Sequence, residues 1–307
     1  MPRLFPNERP GKQKVYSLLI CFLLTAWTGG PSYGSEDCDK TWNETRNAQA
    51  ALDLASFRRR VVEVLDNPSC SQEQRQTISR EAILAHIDAA SRLPLDQRLQ
   101  VYERAARFGR PWQLLEAMAV LLQTRREGGE QDFSAAGLLF QEALLDAQKK
   151  HAQASDEDLL RIFRLAQQSR FFSPVFVRGT GLGIMTRGIA VQSTILPIQF
   201  VRDSDAMTTL GAKYADELIE FLRAKELPKL LIIGHTDHDG PNSYNLALSK
   251  RRADAVKSFL MARGYGTNRI KTIGKGYHEP IKLENAESFD ADQIKQLLRR
   301  VEVQIVP

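Results

Sequence analysis

The chain has 307 residues, 43% of them hydrophobic and 26% charged, with a formal net charge of +5. That balance excludes a disordered chain, which has too little apolar surface to offset the entropy of ordering, and the length is enough for two domains. The sequence holds no long block of Lys and Arg interleaved with aromatics, and Phe57–Val62, FRRRVV, reads as a solvated helix face, so nucleic acid is not an expected partner.

Residues 1–34 read as a Sec-type signal peptide. Arg3, Arg9, Lys12 and Lys14 precede an apolar run of 13 residues, Val15–Trp27, and Ser32 and Gly34 place small residues three and one before a cut. The run is shorter than the roughly 20 residues of a membrane-spanning helix, which weighs against a retained anchor. Cys21 follows Ile20 inside that run, unlike a lipobox, where small residues precede the Cys. Cleavage removes four basic residues and one acid, lowering the net charge from +5 to +2, and leaves an exported, soluble chain. Cys38 and Cys70 then remain as a pair. In an oxidising compartment such a pair forms a disulfide, here stapling the first helix to the second; two free buried thiols are the other reading. Without CxxC spacing, two cysteines offer too few ligands for a metal.

From Trp42 to Ala166 apolar residues recur at three and four. The pattern 45–67 places Ala48, Leu52, Ala55, Val62 and Leu65 near one stripe, ended by Asn67-Pro68. Ser71 and Gln74 form a capping box at the next helix, which Pro94 stops, and Ser155 and Asp158 form another. Gly109 closes a further helix and Pro111 opens the one after it. Six short helices with brief connections, over residues 35–168, predict stacked helical hairpins. No period recurs three times at matching positions, so a solenoid and an irregular bundle both remain open. His86 and His151 are lone histidines on helical patterns, one packed and one solvated. This half carries no paired carboxylates and no nucleophile beside a base; its surface suits a protein partner.

Residues 169–190 read as a linker. The GTGLG at 179–183 has Ile184 where a dinucleotide-binding fingerprint needs Gly. From 191 the period becomes mixed. An apolar strand precedes a helix through Leu210, Tyr214, Leu218 and Leu222. The buried strand KLLIIGH follows, then a helix through Leu248, Val256 and Phe259 that stops at Gly264, and two further strands. The predicted class is α+β: an N-terminal all-α helical-hairpin domain followed by a βαβαββ mixed sheet over 191–307 with helices on one face.

In that order Asp237 lies just past the second strand, and Gly240 turns the chain into a helix whose Asn245, Ser249 and Arg252 share one face. A carboxylate and a guanidinium facing each other across a crevice suit an amino-acid zwitterion: Asp237 takes the ammonium and Arg252 the carboxylate, with Asn245 between them. The competing reading is that Asp237 and Arg252 pair with each other.

The stretch GHTDHDGPNSYNLALSKRRADAV at 234–256 resembles the OmpA-like peptidoglycan-binding family, with Gly234, His235, Thr236, Asp237, Gly240, Asn245, Leu248, Ser249, Arg252, Ala253 and Val256 in register with its GHTD and NxxLSxxRAxxV signature. ILPIQFVRDSDAM, GKGYHEP and RRVEV resemble its first strand, its Gly-containing turn and its last strand. The resemblance implies a domain at 191–307 that binds the diaminopimelate of the peptidoglycan stem peptide through Asp237 and Arg252, with Asn245, Thr236 and Leu246 in the same pocket. It implies no catalytic residue, metal or cofactor, and a place in the periplasm of a Gram-negative bacterium, on the cell wall and peripheral to the outer membrane. Two departures stand out: Leu298 occupies a position usually held by Asn, and residues 281–298 form a longer, helix-like segment in place of a Gly-containing loop. Two further readings follow from the residues. His235, Asp237 and Asp239 could ligate a metal in a cell-wall hydrolase, or the helical half could be an envelope-complex adaptor with the C-terminal domain as a tether.

Overall fold

The computed structural model describes residues 36–49, 53–124, 131–149, 152–173, 193–196 and 198–306. The signal-peptide reading of 1–34, His151 and the glycines of 179–183 lie outside the described residues.

The first part is helical: α1 (Glu36–Asn47), α2 (Leu54–Asp66), α3 (Gln72–Ser91), α4 (Leu95–Ala105), α5 (Trp112–Gln123), α6 (Phe133–Ala147) and α7 (Asp156–Phe172). Each helix packs on its sequence neighbours, as stacked hairpins do. The starts are chemically encoded. Asp53 accepts from the Ala55 and Ser56 amides at α2, and capping boxes sit at Ser71/Gln74 and Ser155/Asp158. Pro111 precedes α5, where its missing N–H costs nothing.

The pattern expected as one helix over 45–67 is two, α1 and α2, parted before the Asp53 cap. The buried stripe of α2 also differs from the expected one. Phe57, Val61 and Val64 face inward while Val62 is 44% exposed. VVEVL admits either face, and the ring of Phe57 decides it, since burying a side chain that large contributes about 1.5–3 kcal/mol. Phe57 packs with Cys38, Trp42, Cys70 and Ile78, and Cys38 is disulfide-bonded to Cys70 with their Cα atoms 5.1 Å apart. Cys70 lies in the turn between α2 and α3, so the bridge ties α1 to that turn. His86 is buried between the Phe57 and Phe108 rings, and its Nδ1 lies 2.7 Å from the Ala82 carbonyl. At the other end, α7 runs to Phe172, so residues 169–172, expected in a linker, are helical and mostly buried. Phe171 and Arg170 have neighbours in the following part that the local sequence does not announce.

The second part has β1 (Ser193–Leu196), α8 (Thr209–Arg223), β2 (Lys229–Gly234), α9 (Asn242–Met261), β3 (Ile270–Gly274), α10 (Ala291–Leu298) and β4 (Val301–Val306). The sheet order is β1-β4-β2-β3, with β2 and β3 parallel and both pairings of β4 antiparallel. The βαβαββ order holds with one addition, the eight-residue α10 between the last two strands, started by an Asp290/Gln293 capping box. Leu218 and Leu222 of α8 pack on Leu230 and Ile232 of β2, with Ala253, Val256 and Leu260 of α9 completing the core. A further cluster, Phe133, Phe171, Phe289 and Leu297, joins the helical part to this one. Among the described residues no helix is long and apolar enough to cross a membrane.

Candidate functional site

Strand β2 leads into Gly234-His235-Thr236-Asp237 at the carboxyl end of the sheet. Its exit is fixed by the His235 amide donating to the Arg300 carbonyl and the Thr236 amide to the Gly276 carbonyl, both at 2.9 Å. Gly234 is required by close approach: a Cβ there would stand 1.9 Å from the Ser249 carbonyl oxygen on α9. A Cβ on Gly274 would likewise meet the Lys250 amide nitrogen at 2.5 Å. The Ser249 hydroxyl fastens the same junction, accepting from the Gly276 amide at 3.0 Å and donating to the Leu246 carbonyl at 2.9 Å. Strand and helix therefore meet backbone to backbone, which brings the 237–240 loop against the first turns of α9.

Within the loop, Asp237 Oδ1 accepts from the Asp239 amide at 3.0 Å, and Gly240 at φ +90° turns the chain toward Pro241. Asn245 is buried and its amide donates to the Asp239 carbonyl at 2.9 Å. That bond fastens the loop to the first turn of α9. Thr236 is buried below, its hydroxyl without a hydrogen-bond partner. Leu246 faces the Gly276 turn, its Cδ2 3.6 Å from where a Gly276 Cβ would be.

Asp237 and Arg252 are close enough to interact electrostatically but are not hydrogen-bonded to each other. Arg299, at the end of α10, donates from Nη1 to Asp237 Oδ2 at 2.6 Å. Arg252 is 2% exposed; its Nε donates to the Ser204 carbonyl at 3.1 Å, its guanidinium lies 5.3 Å from the Phe200 ring centre, and its Nη1 is buried with no acceptor. Burial, and then the neighbouring Arg299, lower its pKa. A cavity of about 520 Å³ adjoins these groups. Its charged lining is Arg202, Arg252, Lys295 and Arg299 against Asp239 and Asp292, an excess of cations that favours a ligand bearing a carboxylate. Lys295 pairs with Asp239 at 2.9 Å and, by that hydrogen bond, holds its pKa below the usual carboxylate value. Phe200 and Phe171 supply the apolar wall.

Arg299, Lys295 and Phe171 were not singled out by the sequence as site residues. The one local signal is the Arg299-Arg300 doublet ahead of β4: Arg300 turns under the sheet to Glu302 at 2.6 Å, leaving Arg299 to reach Asp237. The metal-ligand reading is corrected here. His235 is buried on the Glu302 side, 3.6 Å from that carboxylate, while Asp237 and Asp239 hold Arg299 and Lys295. Among the described residues no three His, Cys, Asp or Glu side chains come together as ligands. His235 is pushed down to a pKa of about 4, first by burial and then by Arg300.

The OmpA family model matches residues 199–293. Outer membrane protein A of Bordetella avium is 36% identical over 104 residues, covering 34% of this chain and 51% of that protein. A peptidoglycan-associated lipoprotein of Brucella melitensis is 33% identical over 113 residues, covering 36% of this chain and 67% of that protein. Among solved structures, a peptidoglycan-associated lipoprotein from Burkholderia pseudomallei has 26% identity and a TM-score of 0.31, over 38% of this chain and 92% of that one. The chain thus spans about half the length of the first relative and two thirds of the second. Through the part that carries Asp237 and Arg252, the chain belongs to the OmpA family.

Proposed function

We propose that this chain is a non-catalytic binder of peptidoglycan that grips the diaminopimelate of the stem peptide with Arg252 and Asp237, in the periplasm of a Gram-negative bacterium and peripheral to its outer membrane. The observation that carries the reading is Arg252, a buried guanidinium that lines a cation-rich cavity with one nitrogen unused. An unpartnered buried donor is costly in the free protein, by about 1–3 kcal/mol or more for a charged group, and a ligand carboxylate would supply the acceptor. The ligand ammonium would take the place of Arg299 on Asp237; the Arg299 side chain is 35% exposed and can swing aside. The name of the Brucella relative agrees with a cell-wall ligand. In this reading the helical part offers its surface to a protein partner of the envelope.

The chemical test is calorimetry of the full chain with meso-diaminopimelic acid and, in parallel, with cadaverine, the same diamine without either carboxylate. Binding of the first and at least tenfold weaker binding of the second is expected, from loss of a charge-assisted contact. Equal affinity for both would overturn the role given to Arg252.

A further inference from the structure

Residues 281–298, the segment that departs from the family pattern, have a second partner besides the cavity. α10 is placed between the two parts of the molecule. Its Lys295 and Arg299, one helical turn apart, face Asp239 and Asp237. Its Leu297 is fully buried with Phe289 against Phe133 and Phe171 of the helical part. The Phe133 and Phe289 rings stack at 6.0 Å, and Phe172 lies 4.8 Å from Phe133 and 5.6 Å from Phe289.

Polar contacts close the same seam. Gln131 donates to the Ser288 carbonyl at 2.5 Å and accepts from Gln293 at 2.8 Å, and Arg164 donates to Glu284 at 2.7 Å. On the far side of the cavity, Gln199 donates to the Phe171 carbonyl at 2.9 Å and the Tyr214 hydroxyl to the Arg170 carbonyl at 3.2 Å. Phe171 and Gln199 both line the cavity that holds Arg252. One wall of the site is therefore supplied by α7, and another by a helix whose apolar side is covered only while the helical part is docked.

We propose that the helical part is a built wall of the ligand site: the seam between residues 282–298 and α6–α7 fixes the width of the cavity, and ligand affinity depends on that seam staying closed. The proposal rests on the reading of the site as a diaminopimelate pocket. By linkage, whatever the seam contributes to binding, the ligand returns to the seam.

The test uses the full chain and meso-diaminopimelic acid. The substitutions Gln131→Ala, Glu284→Ala and Phe289→Ala, combined, loosen the seam without altering a side chain that lines the cavity, and should weaken binding about tenfold or more. In the unsubstituted chain, saturating ligand should slow hydrogen exchange of the amides at 133–140 and 282–290, which belong to the seam and do not line the cavity. Binding by the triple variant within twofold of the parent, or exchange in both segments indifferent to ligand, would overturn the proposal and leave the pocket reading intact. No binding by the unsubstituted chain would overturn the pocket reading and this inference with it.

Discussion

Replacing Arg252 by Met separates a residue kept for binding from one kept for folding. The folded protein would lose one hydrogen bond, to the Ser204 carbonyl at 3.1 Å, worth about 1.5–3 kcal/mol with a charged donor, and the guanidinium contact with Phe200, worth about 0.5–2 kcal/mol. The Ser204 residue is only half-buried, so water can take up its carbonyl. Against those losses, the substitution removes a cation that is 2% exposed, opposed by Arg299 and left with Nη1 unsatisfied. Burying a charge costs several kcal/mol even after relaxation, and Met keeps most of the apolar stem. The opposing contributions are of similar size, so stability by urea unfolding should stay within about 1 kcal/mol of the parent or rise. Ligand binding should fall by about 2–5 kcal/mol, or about 30-fold to several thousand-fold by calorimetry, because the two-pronged grip on the carboxylate is gone. A variant destabilised by more than about 3 kcal/mol that still binds would show that Arg252 is structural and would refute this reasoning.

Two further outcomes concern stability. Denatured, unreduced protein should titrate no thiol from Cys38 or Cys70, and replacing both by Ser should cost about 3–4 kcal/mol, the chain-entropy value for a sequence separation of 32. His235 has a folded pKa of about 4 against 6.5 for the free side chain, so the unfolded chain binds the extra proton first. Its contribution is complete above about pH 6.5 and is lost as pH falls toward 4, by about 3 kcal/mol; urea midpoints across that window should drop, and His235→Gln should flatten the change.

The strand–helix junction was legible because it is carried by short spacings. GHTD at a strand end, Gly240 at the turn, and Asn245, Ser249 and Arg252 on one helical face are local facts, and the structure puts them at one strand–helix junction. The capping boxes were legible for the same reason, since Ser71 and Gln74, or Ser155 and Asp158, act within one turn. What escaped depends on distant partners. Nothing near Arg299 announces Asp237, which is 62 residues away in sequence, and nothing near Phe171 announces Phe289 or Gln199. The face of α2 was misjudged because three closely spaced valines fit two stripes, and the burial of Phe57 against Trp42 and Cys38 selects between them. The 281–298 segment could be recognised as unusual from the sequence, but its role needed the surface of α6 and α7 against which it folds.

The central claim, that Asp237 and Arg252 hold a cell-wall zwitterion, is tested most directly by co-sedimentation of the full chain with purified peptidoglycan sacculi. The unsubstituted protein should pellet with the sacculi, and the Asp237→Ala, Arg252→Ala double variant, shown to be folded by its unfolding transition, should remain in the supernatant. A folded double variant that still pellets to the same extent would contradict the account.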